Sequence, residues 1–310
     1  VLLDGSTYKM WFRAGGWGDG EIGYAESADG VNWTLHPNNP VLIPGAPTQW
    51  GEPVVRFVGG SDGAVIDGFT ITGGSGELAG GIESEGTAVI IRRCLIEDNL
   101  AGGFPDHSAG GGIALFGPVT IEDSRIVNNQ VSQGAGGIRV HSGGSLVMTK
   151  SLVAGNSGDE GLNVNGSVTL MHVTIAHNGI AKGRPGINFN PEPGLSQVIA
   201  NSILYGNGDS IHVTQDTNLE VRYSIVQGGW EGGTNIAADP WFVNPAGGNF
   251  ELRPWSPAID VVAADGALDH DLNGDPPPHP RNALDDIGAF EYQGVPTAGP
   301  IVFLPVATRP

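Results

Sequence analysis

An acidic stretch near the C-terminal end of the chain has the spacing of a calcium-binding loop. Its candidate ligands are Asp269, Asp271, Asn273 and Asp275. Oxygens at the first, third and fifth positions, with Gly274 at the sixth, let a loop wrap its side chains around Ca²⁺. The twelfth position is Pro280, where such a loop requires Glu, so the coordination would have to be completed by Asp285, Asp286 or Glu291. Calcium is therefore a candidate cofactor, and an ordinary Asn-Gly turn is the alternative.

Four ionisable residues recur at one position of a repeated sequence phrase: Arg93, Asp123, Lys150 and His172. If successive repeats stack at the strand spacing of ~4.8 Å, these side chains form one column. Basic groups beside carboxylates can exchange protons with a bound substrate, so the four are candidate catalytic residues. The alternation of charge favours the other interpretation, a ladder of cross-strand pairs that neutralise one another.

Further charged residues lie in the variable loops between repeats: Asp106, His107, Lys182 and Arg184. Loops that leave the same edge of a repeat structure can wall a groove, so these four are the predicted carbohydrate-binding residues. The first two lie three repeats from the last two, ~14 Å at the strand spacing, which is too far for one acid–base pair. They would instead contact successive sugars. Other histidines, such as His177, are isolated, and we expect them to be packed or solvated.

The elements that must position these residues come from a phrase that recurs seven times between residues 65 and 229. Its apolar anchors recur at intervals of 22–30 residues: Ile71, Ile96, Ile126, Val153, Ile175, Leu204 and Val226. A fixed unit with loops of varying length predicts a solenoid, because one repeat cannot bury its apolar side chains without its neighbours. Each repeat is divided into three short strands, the first ending on a second inward column: Ile66, Ile91, Ile121, Met148, Leu170, Ile199 and Val221.

An asparagine follows the second strand in five repeats: Asn99, Asn129, Asn156, Asn178 and Asn207. Asparagine tolerates a left-handed turn, and its amide can hydrogen-bond the same residue one coil away. Such a ladder beside in-register parallel strands is typical of a right-handed parallel β-helix. We therefore predict an all-β chain built on a right-handed parallel β-helix solenoid with short flanking β segments.

Composition restricts the function. The 310 residues include 51 Gly and carry a net charge of −19, which argues against nucleic acid because phosphate binding requires a basic face. Cys94 is the single cysteine and falls in a column of small residues, so a buried structural role is expected. No apolar run reaches the ~20 residues of a membrane span. No signal peptide is visible in the sequence, so either it has been removed or the sequence is a fragment, and export has to be inferred from resemblance.

An outward stripe of aliphatic side chains is predicted by alternation along the second strands: Leu95, Leu152, Ile203 and Ile225. Exposed aliphatic stripes usually mark a contact surface. Burial under the chain's own flanking segments is the interpretation we prefer.

Three segments resemble known families. Residues 53–229, with their stacked columns and Asn ladder, resemble pectate-lyase-like β-helix proteins. That resemblance implies the fold and a surface like that of β-helix polysaccharide lyases, which place a basic residue and carboxylates across neighbouring coils. Residues 1–52, with Tyr8-Lys9-Met10-Trp11-Phe12 and Ile22-Gly23-Tyr24-Ala25, resemble one blade of the five-bladed propeller glycosidases. One blade cannot build that active site.

Residues 230–294 resemble the choice-of-anchor Q module of exported bacterial surface proteins. The resemblance is carried by four motifs in order: Asp239-Pro240-x-Phe242, Asn249-Phe250-x-Leu252, Ser256-Pro257-Ala258-Ile259-Asp260 and Asp286-Ile287-Gly288-Ala289-Phe290-Glu291-Tyr292. Residues 295–310 form a Pro-rich tail.

These observations predict an extracellular or cell-surface protein that binds an extracellular polysaccharide. If it is an enzyme, it is a polysaccharide lyase or a glycoside hydrolase; hydrolysis would need two carboxylates ~5–9.5 Å apart, and Asp98 with Asp123 or Glu122 is the available set. The alternative is a non-catalytic structural or adhesive surface solenoid. The expected partners exclude nucleic acid and a membrane span, and a monomer is expected.

Overall fold

The structure is a computed structural model that describes residues 2–4, 6–12, 23–29, 31–32, 34–35, 51–102, 109–179, 183–213, 217–263, 269–276 and 284–294. The described chain is all-β, with a parallel-strand solenoid of about six turns. The predicted fold class is confirmed. The predicted domain boundaries stay predictions.

The N-terminal segment is a four-stranded antiparallel meander. Its strands, in sheet order, are β1 Leu2–Asp4, β2 Thr7–Phe12, β3 Gly23–Ser27 and β4 Thr34–Leu35. The turn after β3 is held by Asp29, whose carboxylate accepts hydrogen bonds from the backbone N–H groups of Val31 (2.8 Å) and Asn32 (2.7 Å). Such Asx turns stop a strand and reverse the chain. The resemblance of this meander to a propeller blade stays a prediction.

The first and second strands of the coils stack into one parallel sheet. Its members are β6 Ala64–Asp67, β7 Thr70–Thr72, β9 Val89–Arg92, β10 Leu95–Glu97, β14 Pro118–Glu122, β15 Arg125–Val127, β18 Ser145–Ala154, β20 Ser167–Ala176, β22 Ser196–Ala200, β23 Ile203–Tyr205, β25 Asn218–Arg222 and β26 Ile225–Val226. In β18 and β20 the two strands of the coil run on without a break.

The third strands stack into a second parallel sheet. It contains β5 Val55–Phe57, β8 Ile82–Ser84, β12 Ala109–Gly110, β13 Ile113–Leu115, β17 Gly134–Val140, β19 Glu160–Val164, β21 Pro185–Phe189 and β24 Asp209–Val213, while β11 Leu100–Ala101 and β16 Gln130–Val131 pair separately. Both predicted apolar columns are in register from coil to coil, as with Ile96 against Ile71 and Ile126. These side chains fill one continuous core along the solenoid axis, which removes their apolar surface from water.

Two polar ladders run inside this core. In the first, the serines of the Cys94 column accept hydrogen bonds from the backbone of the preceding coil, as from Cys94 N to Ser124 Oγ (3.1 Å). Cys94 is buried, and burial raises the pKa of its thiol, so the structural role predicted for it is supported. In the second ladder, Asn99 Nδ2 donates to Asn129 Oδ1 (2.9 Å), and the pattern continues to Asn207.

The left-handed turn expected at the ladder asparagines lies one residue earlier. Asp98, Asn128 and His177 have φ of 51°, 56° and 57°, and glycines take the same position at Gly155 and Gly206. The asparagine itself is left free to turn its amide into the core and bond the next coil. The asparagines therefore stabilise the corner through their side chains, while the preceding residue makes the turn.

The C-terminal segment packs on the outer face of the second strands. It contains β27 Phe242–Asn244, a 3₁₀ turn Pro245–Gly247, β28 Asn249–Leu252, β29 Val262–Ala263 and β30 Leu284–Asp285. Leu152, Ile203 and Ile225 of the predicted aliphatic stripe are buried in one cluster with residues of this segment, among them Phe250 and Ile287. These three members of the stripe are covered by the chain itself, as we preferred, whereas Leu95 is half-buried and lies outside this cluster.

Gly288 shows how close this contact is. Its φ is +106°, and a Cβ there would lie 2.8 Å from Ile203 Cδ1 and 2.9 Å from Thr174 Oγ1. Backbone hydrogen bonds fix the approach on both sides: Gly288 N donates to Asn201 O (2.9 Å), and Ala289 N donates to Thr174 Oγ1 (3.1 Å). A glycine is needed here because only it combines this φ with the available space.

Within the described part of the chain, no helix is long and apolar enough to cross a membrane.

Candidate functional site

The predicted catalytic column lies at the corner between the first and second strands of each coil. Its residues all have a left-handed backbone, with φ between 43° and 52°: Arg93, Asp123, Lys150, His172, Asn201 and Tyr223. Gly68 takes this position in the first coil, with φ of 75°. The left-handed residue turns the chain from one strand to the next and points its side chain outward. The structure therefore contains the predicted column.

Of the four predicted catalytic residues, Asp123 and Lys150 contact each other. Lys150 Nζ lies 3.4 Å from Asp123 Oδ1. Arg93 instead pairs with Asp67 and is 60% exposed. The His172 side chain is buried, with its Nε2 2.9 Å from Asn201 Nδ2. The column is thus divided into local contacts between adjacent coils, as the ladder interpretation predicts.

The C-terminal segment completes the Asp123–Lys150 pair. Lys150 Nζ is 3.2 Å from both Asp269 Oδ1 and His270 Nε2. His270 Nε2 is also 3.2 Å from Asp123 Oδ2, and its Nδ1 is 2.6 Å from Asp269 Oδ1. A hydrogen bond from Lys150 lowers the pKa of Asp269. The Lys150 side chain is only 14% exposed, and its amine contacts three groups of the chain itself. The cluster therefore fits a clamp that attaches the C-terminal segment to the solenoid better than it fits a proton-transfer site.

Replacing Lys150 by methionine is expected to loosen the docked C-terminal segment, because the segment loses the amine that contacts Asp269 and His270. Proteolysis or hydrogen exchange of residues 269–276 measures the effect. Arg93→Met is the matched control, since Arg93 belongs to the same column but is largely exposed and contacts Asp67. Equal effects of the two changes would contradict the clamp.

Of the predicted carbohydrate-binding residues, Arg184 is exposed, and its backbone N–H donates to Gly179 O (3.3 Å). Asp106, His107 and Lys182 lie outside the described residues. Their assignment stays a prediction.

The calcium-like loop is closed by hydrogen bonds within the protein. Asp271 Oδ1 accepts from the backbone N–H of Asn273 (2.8 Å) and Asp275 (2.9 Å), and its Oδ2 accepts from Glu291 N (3.0 Å). Asn273 Oδ1 accepts from Arg125 Nη2 (2.7 Å). In the described loop these oxygens therefore accept hydrogen bonds from N–H groups of the protein itself. No group of three or more His, Cys, Asp or Glu among the described residues is arranged to hold a metal ion. The Asn-Gly turn describes the loop better, and calcium stays a prediction.

Next to this loop, carboxylates are buried together. Asp286 accepts hydrogen bonds from Asp260 N (2.8 Å) and Tyr292 N (2.7 Å), and Glu291 Oε1 accepts from Asp286 N (2.9 Å). Burial raises the pKa of Asp286 to about 7 and that of Glu291 to about 8. Glu291 Oε2 is buried with no hydrogen-bond partner among the described residues. Burial therefore favours the protonated form of both carboxyls at the end of the C-terminal segment.

Among the described residues, a concavity lies where the C-terminal segment meets the solenoid corner next to the Asn ladder. We call it the junction groove. It has two lobes, of about 550 Å³ and about 750 Å³. The first lies between the solenoid corner and the 3₁₀ turn, and the second lies along the outer side of β27. Both are lined by His177 and Pro245, so the two lobes adjoin at these residues.

The floor of the first lobe is formed by left-handed residues that precede the ladder asparagines. Asn128 and His177 flank Gly155, whose missing side chain leaves a notch between them. A Cβ at Gly155 would lie 2.7 Å from Asn128 Oδ1. The His177 ring packs over Gly206 and meets Phe250 edge to face, with ring centroids 5.6 Å apart. Burial lowers the pKa of His177, so its imidazole is neutral near neutral pH.

The second lobe is rich in aromatic residues. Trp241 and Trp255 line it and are each 47% exposed, and Tyr205 and Asp239 share a hydrogen bond beside them. The charged residues of the described lining are Arg253 and Asp239 here, and Arg125 and Glu251 in the first lobe. Each lobe thus pairs one cation with one carboxylate. Such a mixture of apolar surface and a few polar groups is typical of a ligand site.

The sequence reasoning missed this groove. It treated His177 as isolated, and it used Asp239 and Phe242 only as marks of a module. One signal was present: two aromatic residues are adjacent in Asp239-Pro240-Trp241-Phe242. The structure buries Phe242 at the start of β27 and leaves Trp241, just before the strand, 47% exposed.

A solved structure shares this architecture. The chain aligns with the crystal structure of the pectate lyase Pel9A at 17% sequence identity and a TM-score of 0.54, covering 77% of this chain and 62% of that one. The chain therefore spans less than two thirds of the length of that structure. No protein-family model matches the sequence, and no curated protein is significantly similar to it.

The likeness establishes a pectate-lyase-like parallel β-helix. At this identity it concerns the fold alone, since one scaffold hosts many activities. The resemblances of the two flanking segments to a propeller blade and to choice-of-anchor Q stay predictions.

Proposed function

We propose that the protein binds an extracellular polysaccharide in the junction groove, as a secreted or cell-surface solenoid. The observation that carries the proposal is that two open lobes adjoin at His177 and Pro245 along the line where the C-terminal segment meets the solenoid. An open groove accepts a polymer along its length, whereas a closed pocket accepts only a chain end. Each lobe has the volume range of ligand sites, roughly 300–1,000 Å³. The likeness of the scaffold to a pectate lyase supports a polysaccharide as the ligand.

The proposal concerns binding and not cleavage. A lyase that uses Lys150 as its base would need this amine to reach the substrate, but the amine contacts Asp123, Asp269 and His270. His172 is buried in the same column. The corner that was predicted to be catalytic is therefore better explained as the attachment point of the C-terminal segment.

A Gly155→Asn substitution tests the site. Asparagine is tolerated at the left-handed φ of 67°, as Asn128 shows in the same column, but its side chain would fill the notch of the first lobe. In affinity gels cast with a panel of neutral and acidic polysaccharides, we expect at least one polymer to retard the protein. The substitution should lower the affinity for that polymer about tenfold or more, which corresponds to about 1.4 kcal/mol.

Gly143→Asn is the matched control. Gly143 also has a left-handed φ (79°), but an added Cβ there meets open space on an exposed turn outside the groove. Its affinity should equal that of the parent. Retardation that survives Gly155→Asn would place binding on another surface, and silence across the panel would favour a structural or adhesive solenoid.

A further inference from the structure

The two tryptophans of the second lobe are presented to solvent by a fixed backbone. Trp241 N donates to Asp239 Oδ1 (2.8 Å), and Trp241 O accepts from Arg253 N (2.9 Å). The turn that carries Trp255 is held by Ser256, whose Oγ donates to Pro240 O (2.6 Å). Both residues therefore belong to one hydrogen-bonded unit, so the positions of the rings are set by the fold.

Folding alone does not explain why the two tryptophan rings are exposed. Burying a large apolar side chain is favourable, yet each ring remains 47% exposed. Both residues also have a left-handed backbone, with φ of 55° and 71°, which disfavours bulky side chains. Residues held in such conformations cluster at ligand-binding sites. Two exposed rings on one wall of a groove, each in an unfavourable conformation, indicate a ligand that covers them.

The arginines of the groove are already engaged by the protein. Arg125 donates to Asn273 Oδ1 (2.7 Å) and Leu272 O (3.4 Å), and its guanidinium lies 5.9 Å from the centre of the Phe290 ring. Arg253 Nη2 donates to Val243 O (2.5 Å). Each lobe also contains a carboxylate, and the chain as a whole carries a charge of −19. The groove therefore offers a polyanion no excess of positive charge.

We infer that the junction groove takes an uncharged polysaccharide, with sugar rings stacked on Trp241 and Trp255. The C–H face of a pyranose packs against the electron-rich face of an indole, and this contact does not require charge. Tyr205, Asp239 and the neutral His177 supply hydrogen-bonding groups for the sugar hydroxyls at the groove wall. A polyuronate carries one carboxylate per sugar and would meet Asp239 and Glu251, which already balance the charge of the two arginines in the described lining. This inference rests on the proposed function and specifies its substrate class.

The test compares polymers of both kinds with the full chain. Affinity gels are cast with a β-glucan, a xylan or a galactomannan as neutral polymers, and with polygalacturonate or alginate as polyanions. Trp241→Asn and Trp255→Asn remove the rings, and asparagine suits the left-handed backbone better than tryptophan, so the variants should fold as well as the parent. Thermal unfolding midpoints check this. Tyr223→Asn is the matched control, because Tyr223 is an exposed aromatic residue at a left-handed position outside the groove.

We expect retardation by at least one neutral polymer and none by the polyanions. Each tryptophan substitution should lower that affinity about tenfold or more, as for anchor residues of other interfaces, and tryptophan fluorescence of the parent should shift on binding. Binding of polyanions in preference to neutral polymers, or unchanged binding by both tryptophan variants, would overturn the inference while leaving polysaccharide binding intact. A protein that no polymer retards would overturn both proposals.

Discussion

Raising the pH from about 5 to about 9 is expected to destabilise the docked C-terminal segment by roughly 3–5 kcal/mol. The reason is the buried pair Asp286 and Glu291, whose pKa values are raised by burial to about 7 and about 8. In an unfolded chain both carboxyls ionise near pH 4. Folding therefore takes up protons between these limits, and the stability that the pair contributes is complete at low pH and is lost as the pH rises through about 7–8.

A Glu291→Gln substitution should remove much of this pH dependence. Glutamine keeps the shape of the protonated acid and can still accept the hydrogen bond that Asp286 N donates to Glu291 Oε1. At about pH 9 the variant should be more stable than the parent, and at about pH 5 the two should be similar. Hydrogen exchange of residues 284–292 and the thermal midpoint, both measured across this range, report the effect.

Glu220→Gln serves as the control for this prediction. The Glu220 side chain is 61% exposed and pairs with Arg222 on the solenoid surface, so its removal should leave the pH profile unchanged. A parent protein whose C-terminal segment is as stable at pH 9 as at pH 5 would show that the two carboxyls are not held protonated.

The solenoid could be predicted because each coil places the same residue types at the same positions. Inward columns such as Ile71, Ile96 and Ile126 must face the axis in every coil, and their spacing in the sequence is enough to set the register. The Asn ladder follows from the same repetition, since identical residues one coil apart face one another. Periodicity encodes contacts between neighbouring coils, and those contacts make up most of this fold.

The candidate site was not predictable in the same way, because it depends on contacts between distant parts of the chain. Lys150 meets Asp269 across 119 residues, and Arg125 meets Asn273 across 148. No repeat relates these partners, so no period in the sequence reports them. In the sequence, Asp269 and Asn273 have the spacing of metal ligands. In the structure they contact two cations of the solenoid, Lys150 and Arg125. The groove arises from the same docking and was equally hidden.

Replacing Asn129 by alanine is expected to lower the stability of the solenoid by roughly 3–5 kcal/mol. Asn129 is fully buried, and its Oδ1 accepts hydrogen bonds from Asn99 N (3.1 Å) and Asn99 Nδ2 (2.9 Å). Its Nδ2 donates to Ile96 O (2.9 Å) and Asn156 Oδ1 (3.0 Å). Alanine leaves the backbone N–H of Asn99 and one hydrogen of its Nδ2 without an acceptor, while Nδ2 keeps its bond to Ile71 O (2.9 Å). Each unsatisfied buried group costs about 1–3 kcal/mol.

The neighbouring asparagine provides a stringent control. Asn128 makes the left-handed turn and faces the junction groove, so Asn128→Gly retains the required φ of 56° and breaks no part of the ladder. Urea unfolding should move its midpoint little, whereas Asn129→Ala should lower the midpoint strongly. Because a coil contacts only its neighbours, the loss of protection in hydrogen exchange should centre on the coils of Asn99 and Asn156. Equal midpoints for the two variants would mean that the turn residues, and not the stacked amides, hold this corner of the solenoid together.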